Sequence, residues 1–409
     1  MPTIMLPLVC LMLVLSTALA CSDDDDDGTQ AQNNAIDAGS DTTADEADTD
    51  RFDDTDADTS SDTTSNDTAD VSPAHTQVIT ADWLNGTLSL FDYTPLTQGT
   101  GATPERTIDL SAYPPGPLQI EVVPNSNRAV VSISPGFFDG SLGALVGALE
   151  GDVPTGGSLL IVDLDTGTVQ MELETAHVPM GIAISYDGRT AYTANYGTTG
   201  ARGDTVSVID LSGPGVVHEF VVGEGPEQVI LSPDGTTGLV NLAGAGSVVA
   251  FPITAEPSPG TPISTGSDPS DLAFISPTRA VVANSQSFDA VLIDTATETA
   301  LDTLSLPGSG FPYGVDRIPN TSRVLITRAA ATATLIQLDA AGDNLTVVGD
   351  PIPLGGGNFP MNAAVSNDGA FAFVPHAVDG SLSVVDLGAG TATPIVWLDQ
   401  PGPTYVVLD

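Results

Sequence analysis

From about residue 76 to the C-terminus, β-branched and other apolar side chains come in short runs, each closed by Gly, Pro, Asn, Asp or Ser. Short runs with period-two alternation between turn formers predict strands rather than helices. The stretch PMGIAISYDGRTAYTANYGTTGARGDTVSVIDLSGPGVVHEFVVGEG, residues 179–225, carries the pattern most fully. It predicts four strands, at 180–185, 190–195, 205–210 and 216–222. The first two are joined by Tyr186-Asp187-Gly188, a glycine-containing turn suited to antiparallel neighbours. In the third, Val206, Val208 and Asp210 alternate with Ser207 and Ile209, which suits a sheet covered on both faces.

The unit recurs. Prolines open successive copies at Pro117, Pro179, Pro226, Pro269, Pro312, Pro360 and Pro403, spaced by 62, 47, 43, 43, 48 and 43 residues. The first turn returns as Ser232-Pro233-Asp234-Gly235, Ser276-Pro277-Thr278 and Ser366-Asn367-Asp368-Gly369, and third strands return at 158–165, 290–297 and 381–388. Four strands in a repeat of this length are the signature of a β-propeller blade. The last copy holds only a first strand, 404–409, while three strands at 77–82, 86–93 and 105–110 precede the first proline. Together they make a seventh blade and close the ring, leaving no open sheet edge there. The fold class is therefore all-β, a seven-bladed β-propeller over 76–409.

The residues TAYTANYGTTGARGDTVSVID, followed by VVGEGPEQVILSPDG, resemble the YVTN-family β-propeller repeat. The likeness lies in a tyrosine-containing second strand, a Val-Ser-Val-Ile-Asp third strand and a proline join leading to Ser-Pro-Asp-Gly. It spans 76–409 and implies a propeller of the kind placed on bacterial or archaeal surfaces. It implies no single reaction.

The segment before the repeats changes the picture of where the domain works. Residues 6–20 (LPLVCLMLVLSTALA) form an apolar run too short for a typical membrane span and end in small residues before Cys21, as a signal sequence does. Ala18-Leu19-Ala20-Cys21 resembles the lipobox of bacterial lipoproteins, which implies a diacylated Cys21 as mature N-terminus. An ordinary signal peptide cut after Ala20, or a retained anchor, are the alternatives. Residues 22–75 form an Asp/Thr-rich linker; 18 acids and one arginine fall within 22–74. Few apolar side chains and strong self-repulsion predict a disordered, extended spacer. The run DTDADTSSDTTSND lacks the glycine turn and distal glutamate of a calcium loop. The expected placement is thus extracytoplasmic, lipid-anchored to a membrane.

The whole chain carries a net charge of −44 with no lysine, which argues against nucleic acid as a partner. Both cysteines, Cys10 and Cys21, precede the repeats, so the propeller has no disulfide, thiol nucleophile or thiolate metal site. A monomer is expected.

In a propeller the first strand of each blade lines the channel, and the loops before it and between strands two and three share one face. That face should carry His177, Arg202, Phe311, Tyr313, Arg328, Phe359 and His376 as candidate ligand contacts, with Trp83, Tyr196, Met361 and Tyr405 beside them. Aromatic groups with a few charges around a concave mouth suit a protein, peptide, glycan or small-molecule ligand. Blade one carries a long insertion, 134–157, whose apolar residues suit either a lid or partner contact, or packing on their own blade. No catalytic set and no metal or cofactor site emerges. The histidines lack carboxylates at ligand spacing, no CxxCH binds haem, and the turn serines lack a basic partner. The expected function is therefore binding or scaffolding. A lactonase-like hydrolase or lyase at the channel face is one alternative, and a structural envelope protein another.

Overall fold

The computed structural model describes residues 76–409 apart from 135–156, 176–177, 199, 214, 309, 330–333, 356–358 and 400–401. The segment expected to be a signal, Cys21, the Asp/Thr-rich segment after it, most of the blade-one insertion and His177 lie outside the described residues. Seven four-stranded antiparallel sheets are present. In each, the four strands pair in chain order, and the first strands of successive blades neighbour one another around the centre of the ring. Blade seven is the split one, ordered Pro403–Leu408, Gln77–Asp82, Thr87–Asp92, Arg106–Asp109. Val78 pairs with Leu408 and Ala81 with Tyr405, while the Asp409 carboxylate accepts from the Thr76 and Gln77 amides at 2.8 and 2.9 Å.

The turn residues act as their chemistry requires. Ser185 Oγ donates to Asp187 Oδ1 at 2.7 Å, and Gly188 takes φ 68° while its N–H reaches Ser185 O. Ser232, Asp234 and Gly235 repeat that arrangement, as do Ser366, Asp368 and Gly369. The aspartates ending third strands (Asp163, Asp210, Asp294 and Asp386) each accept an amide two or three residues on, which starts the next turn. Apolar residues fill the space between blades: Ile79, Leu88 and Leu90 of blade seven pack on Ile120, Val131 and Leu160 of blade one. Burying side chains of this size stabilises by about 1.5–3 kcal/mol each.

One polar position is built into the blades. Asp82 ends a second strand, pairs across to Thr87, and accepts from Ser89 Oγ at 2.6 Å. Asn195 holds the same place in blade two, opposite Thr205, with Nδ2 donating to Thr205 and Ser207. Asn284 faces Asp289 in blade four, and His376 faces Ser381 in blade six. Each of these four side chains has a partner on the third strand, so the polar group ties two strands together inside the sheet.

The prolines matter for the centre of the ring. A proline cannot donate to the ladder. Just after Pro117, Pro226, Pro269 and Pro312 the register shifts, so one or two residues fall out of pairing. These are the residues released toward the channel.

Candidate functional site

At the mouth of the channel, residues that follow the blade-opening prolines contribute to an apolar plug. Leu118, Met180, Tyr313 and Met361, each one residue after its proline, pack with Trp83 and Tyr196. Trp83 Nε1 donates to Ser134 O at 2.7 Å, which satisfies the indole inside the plug. Phe359 packs on the same cluster; its ring lies 5.5 Å from Phe311 and 6.3 Å from Tyr313, centroid to centroid. Three of the sequence candidates therefore meet.

Arg202 reaches this mouth because blade two has a longer hairpin than its sequence pattern implied. Its second and third strands run Thr190–Thr198 and Ala201–Asp210, beyond the expected 190–195 and 205–210. A bulge between Arg202 and Thr205 closes the backbone so tightly that a Cβ on Gly203 would lie 2.0 Å from Asn195 O. The guanidinium carbon sits 5.7 Å from the centre of the Tyr196 ring. It passes beside Gly225 and Gly244 of blade three, where a Cβ would come within 2.9 and 3.1 Å of Nη1. Among the described residues Nη1 is buried and has no hydrogen-bond partner. Glu227 is the nearby acid whose ionised form Arg202 favours. Burial nevertheless pushes the Glu227 carboxyl well above the usual carboxylate range, with Asp268 adding to the rise. Tyr313, from blade five, donates its hydroxyl to Glu227 Oε1 at 2.9 Å.

Arg328 and His376 take other places. Arg328 is 2 % exposed and donates to the carbonyls of Pro307, Gly308 and Gly310, holding the loop ahead of its own blade's first strand. Burial lowers its affinity for the proton. His376 is fully buried, with Nε2 2.8 Å from Ser383 Oγ, which in turn donates to Leu354 O. Both stand at the second-strand position held by Asp82 and Asn195 in other blades. Their loop-like surroundings in sequence hid an intra-blade role.

Below the plug the channel turns acidic. A narrow cavity is lined by Gln119, Gln228, Asp271, Asn362, Thr404 and Tyr405, under Leu118, Met180, Tyr313 and Met361. Asp271 accepts from the amides of Leu272 and of Val315 in the next blade, both at 2.8 Å. Asp316 repeats this one blade on, accepting from Arg317 and Val365. Burial pushes Asp271 and Asp316 up to about 7. Burial, with Asp316 and Asp271 adding like charge, pushes Glu121 up to about 8. The same three acids raise Tyr405, though burial is the larger cause. Sequence reasoning missed Glu121, Glu227, Asp271 and Asp316. The signal was there: each is an acid in a first strand, one to four residues after a blade-opening proline.

No family model and no curated protein matches the chain. Solved structures do. A 6-phosphogluconolactonase-like protein of Bacteroides uniformis is 16% identical, with a TM-score of 0.62, covering 82% of this chain and 100% of that one. A protein from Lactobacillus plantarum is 14% identical at TM-score 0.63, covering 82% and 99%. The WD40 repeats of RRP9 are 13% identical at TM-score 0.56, covering 74% and 84%. At these identities the likeness establishes the fold, a seven-bladed β-propeller, and nothing finer.

Proposed function

We propose that this chain is a lipid-anchored, extracytoplasmic propeller of the YVTN type that binds a small carboxylate-bearing ligand at its loop-rich face. One observation carries the reading. In a chain without lysine, Arg202 stands at the channel mouth, over Tyr196 and near Glu227, with its Nη1 lacking a hydrogen-bond partner among the described residues. An arginine with an unmatched N–H beside an aromatic face suits a planar anion, which it can hold through two parallel N–H donors. The apolar plug beneath it offers contact area for the remainder of such a ligand. Burial, the largest cause, raises the Glu227 carboxyl well above the usual carboxylate range, which favours its protonated, donor form.

A second reading is favoured by the same Glu227. A buried carboxyl with raised proton affinity, next to an arginine, is equipped to trade a proton while the arginine polarises a carbonyl, as lactone hydrolysis requires. The lactonase-like description of the Bacteroides relative points the same way. Isothermal titration with a panel of carboxylates and their lactones, on the wild type, Arg202→Ala and Glu227→Gln, separates the readings. Saturable binding that Arg202→Ala weakens at least tenfold, without turnover, supports the binding module. Turnover abolished in Glu227→Gln supports the hydrolase. Equal behaviour of Arg202→Ala and the wild type toward every compound refutes both. The anchor has its own test: mass spectrometry of the mature protein should find acylated Cys21, and an unmodified cysteine or an intact Met1 would rule the lipoprotein out.

A further inference from the structure

We propose that a cleft on the flank of the ring, between blades six and seven, binds a neutral sugar ring at a site separate from the channel mouth. The cleft is built by a long connection. Blades one, four and six pass from third to fourth strand through residues 164–167, 295–298 and 387–390. Blade seven uses 93–105 for the same step. Long connections in compact domains tend to carry function. This one is held in place. Leu96 is buried in one apolar cluster with Phe373, Val384 and Ile395 of blade six, and the Thr100 and Gly101 amides both donate to Pro95 O, at 2.9 and 3.0 Å. Between its far end, 98–102, and the sheet of blade six lies a cleft of about 470 Å³. That volume is in the range of small-molecule sites. Third-to-fourth connections leave an antiparallel blade at the opposite end from second-to-third hairpins, so the cleft and Arg202 stand on different faces of the ring.

Strand pairing puts the chemistry on the blade-six wall. Phe371 faces Asp386 and Asp386 faces Thr391, while one pleat further Val384 faces Thr393. Period-two alternation keeps all five side chains on one side of the sheet. Half-buried Phe371 and the Pro394 ring supply apolar contact within the cleft. Asp386 Oδ1 accepts the Ala389 amide at 2.8 Å, which orients the carboxylate and leaves Oδ2 open to a further donor. The Thr391 and Thr393 hydroxyls and the Gln98 amide line the same space, and among the described residues they have no side-chain hydrogen bond of their own. No basic side chain lines the cleft and a carboxylate does, so an anion is repelled. A simple cation would engage Asp386 alone, in a place open to water where such a pair is weak, and would leave two hydroxyls and an amide unused. A sugar ring answers the whole set. Its C–H face packs on Phe371 and Pro394, its hydroxyls donate to Asp386, and Thr391, Thr393 and Gln98 can each donate to it or accept from it.

The test is saturation-transfer NMR on the full chain with glucose, galactose, mannose and N-acetylglucosamine. At least one of these sugars should receive saturation, strongest on its C–H face, and titrate to a single saturable site. Thr393→Val removes a hydroxyl at constant shape, and Asp386→Asn keeps an acceptor for the Ala389 amide while removing the charge. They should weaken binding about threefold and about tenfold respectively, as suits the loss of a neutral and of a charge-assisted hydrogen bond. Asp294→Asn, the matching third-strand aspartate of blade four, should leave it unchanged. So should Arg202→Ala, which keeps the result apart from the carboxylate reading of the mouth. Thermal unfolding of Thr393→Val and Asp386→Asn checks that the ring is intact. No saturable transfer to any of these sugars, or transfer undiminished in both Thr393→Val and Asp386→Asn, overturns the proposal. Saturable binding of tetramethylammonium in place of every sugar overturns it as well.

Discussion

Asp82 is a carboxyl with no exposure, at the end of a second strand, held by Thr80, Thr87 and Ser89 at 2.8, 3.1 and 2.6 Å. Burial pushes its pKa from 3.8 up to about 7, against the opposing pull of those three hydroxyls. Below the unfolded value both states carry the proton and pH has no leverage. Between 3.8 and about 7 only the folded chain keeps it, so raising the pH favours unfolding. Above that, both states are ionised and the penalty is constant. At about 1.36 kcal/mol per pH unit the loss sums to ~4 kcal/mol. Asp82→Asn abolishes the titration and should fit, because Asn195 already fills the equivalent place in blade two with Nδ2 2.9 and 2.8 Å from Thr205 and Ser207. The assay is denaturant unfolding of wild type and variant from pH 4 to pH 8. Glu121, Asp271 and Asp316 also lose stability as pH rises, but they are common to both proteins and cancel in the difference. The variant should gain ~4 kcal/mol on the wild type across that range. A difference that stays flat with pH would refute the account, even if the variant were uniformly weaker or stronger.

Two further substitutions follow from packing. A Cβ on Gly314 would lie 2.5 Å from both Asn362 Cα and Met361 O, backbone that leads into the next blade's first strand. Gly314→Ala must force blades five and six apart, so its midpoint of unfolding should fall by the equivalent of ~1–3 kcal/mol, and an unchanged midpoint would contradict the tight inner contact. Arg328→Met keeps length but strips the donors from Pro307, Gly308 and Gly310. Stability should drop by ~2–4 kcal/mol while any ligand affinity at Arg202 stays within twofold; a variant that folds normally and loses binding would restore Arg328 to the binding face.

Blade count and closure were legible in the sequence because they rest on local signals that repeat. A proline opens each first strand, Ser-x-Asp-Gly turns recur, and the missing strands of the last copy appear at the start of the domain. The aromatic part of the mouth was legible for a related reason: Tyr313 follows its blade's proline directly and Phe311 and Phe359 stand just before one, so knowing the fold placed them. Arg328 and His376 were misplaced because the boundary between strand and loop decides their role. One residue of register separates a side chain inside a blade from one on its rim. In blades five and six that register keeps both side chains inside. The channel acids were hidden by a different limit. Alternation in a first strand tells which residues share a side, but the shift after the proline changes which side faces the axis. Gln119 and Asp271 occupy the same repeat position, two residues after Pro117 and Pro269, in strands that both shift there. The functional question then turns on a backbone irregularity. Where the proline withholds an N–H, the ladder slips, and polar groups that would have cost stability between blades are delivered to the axis.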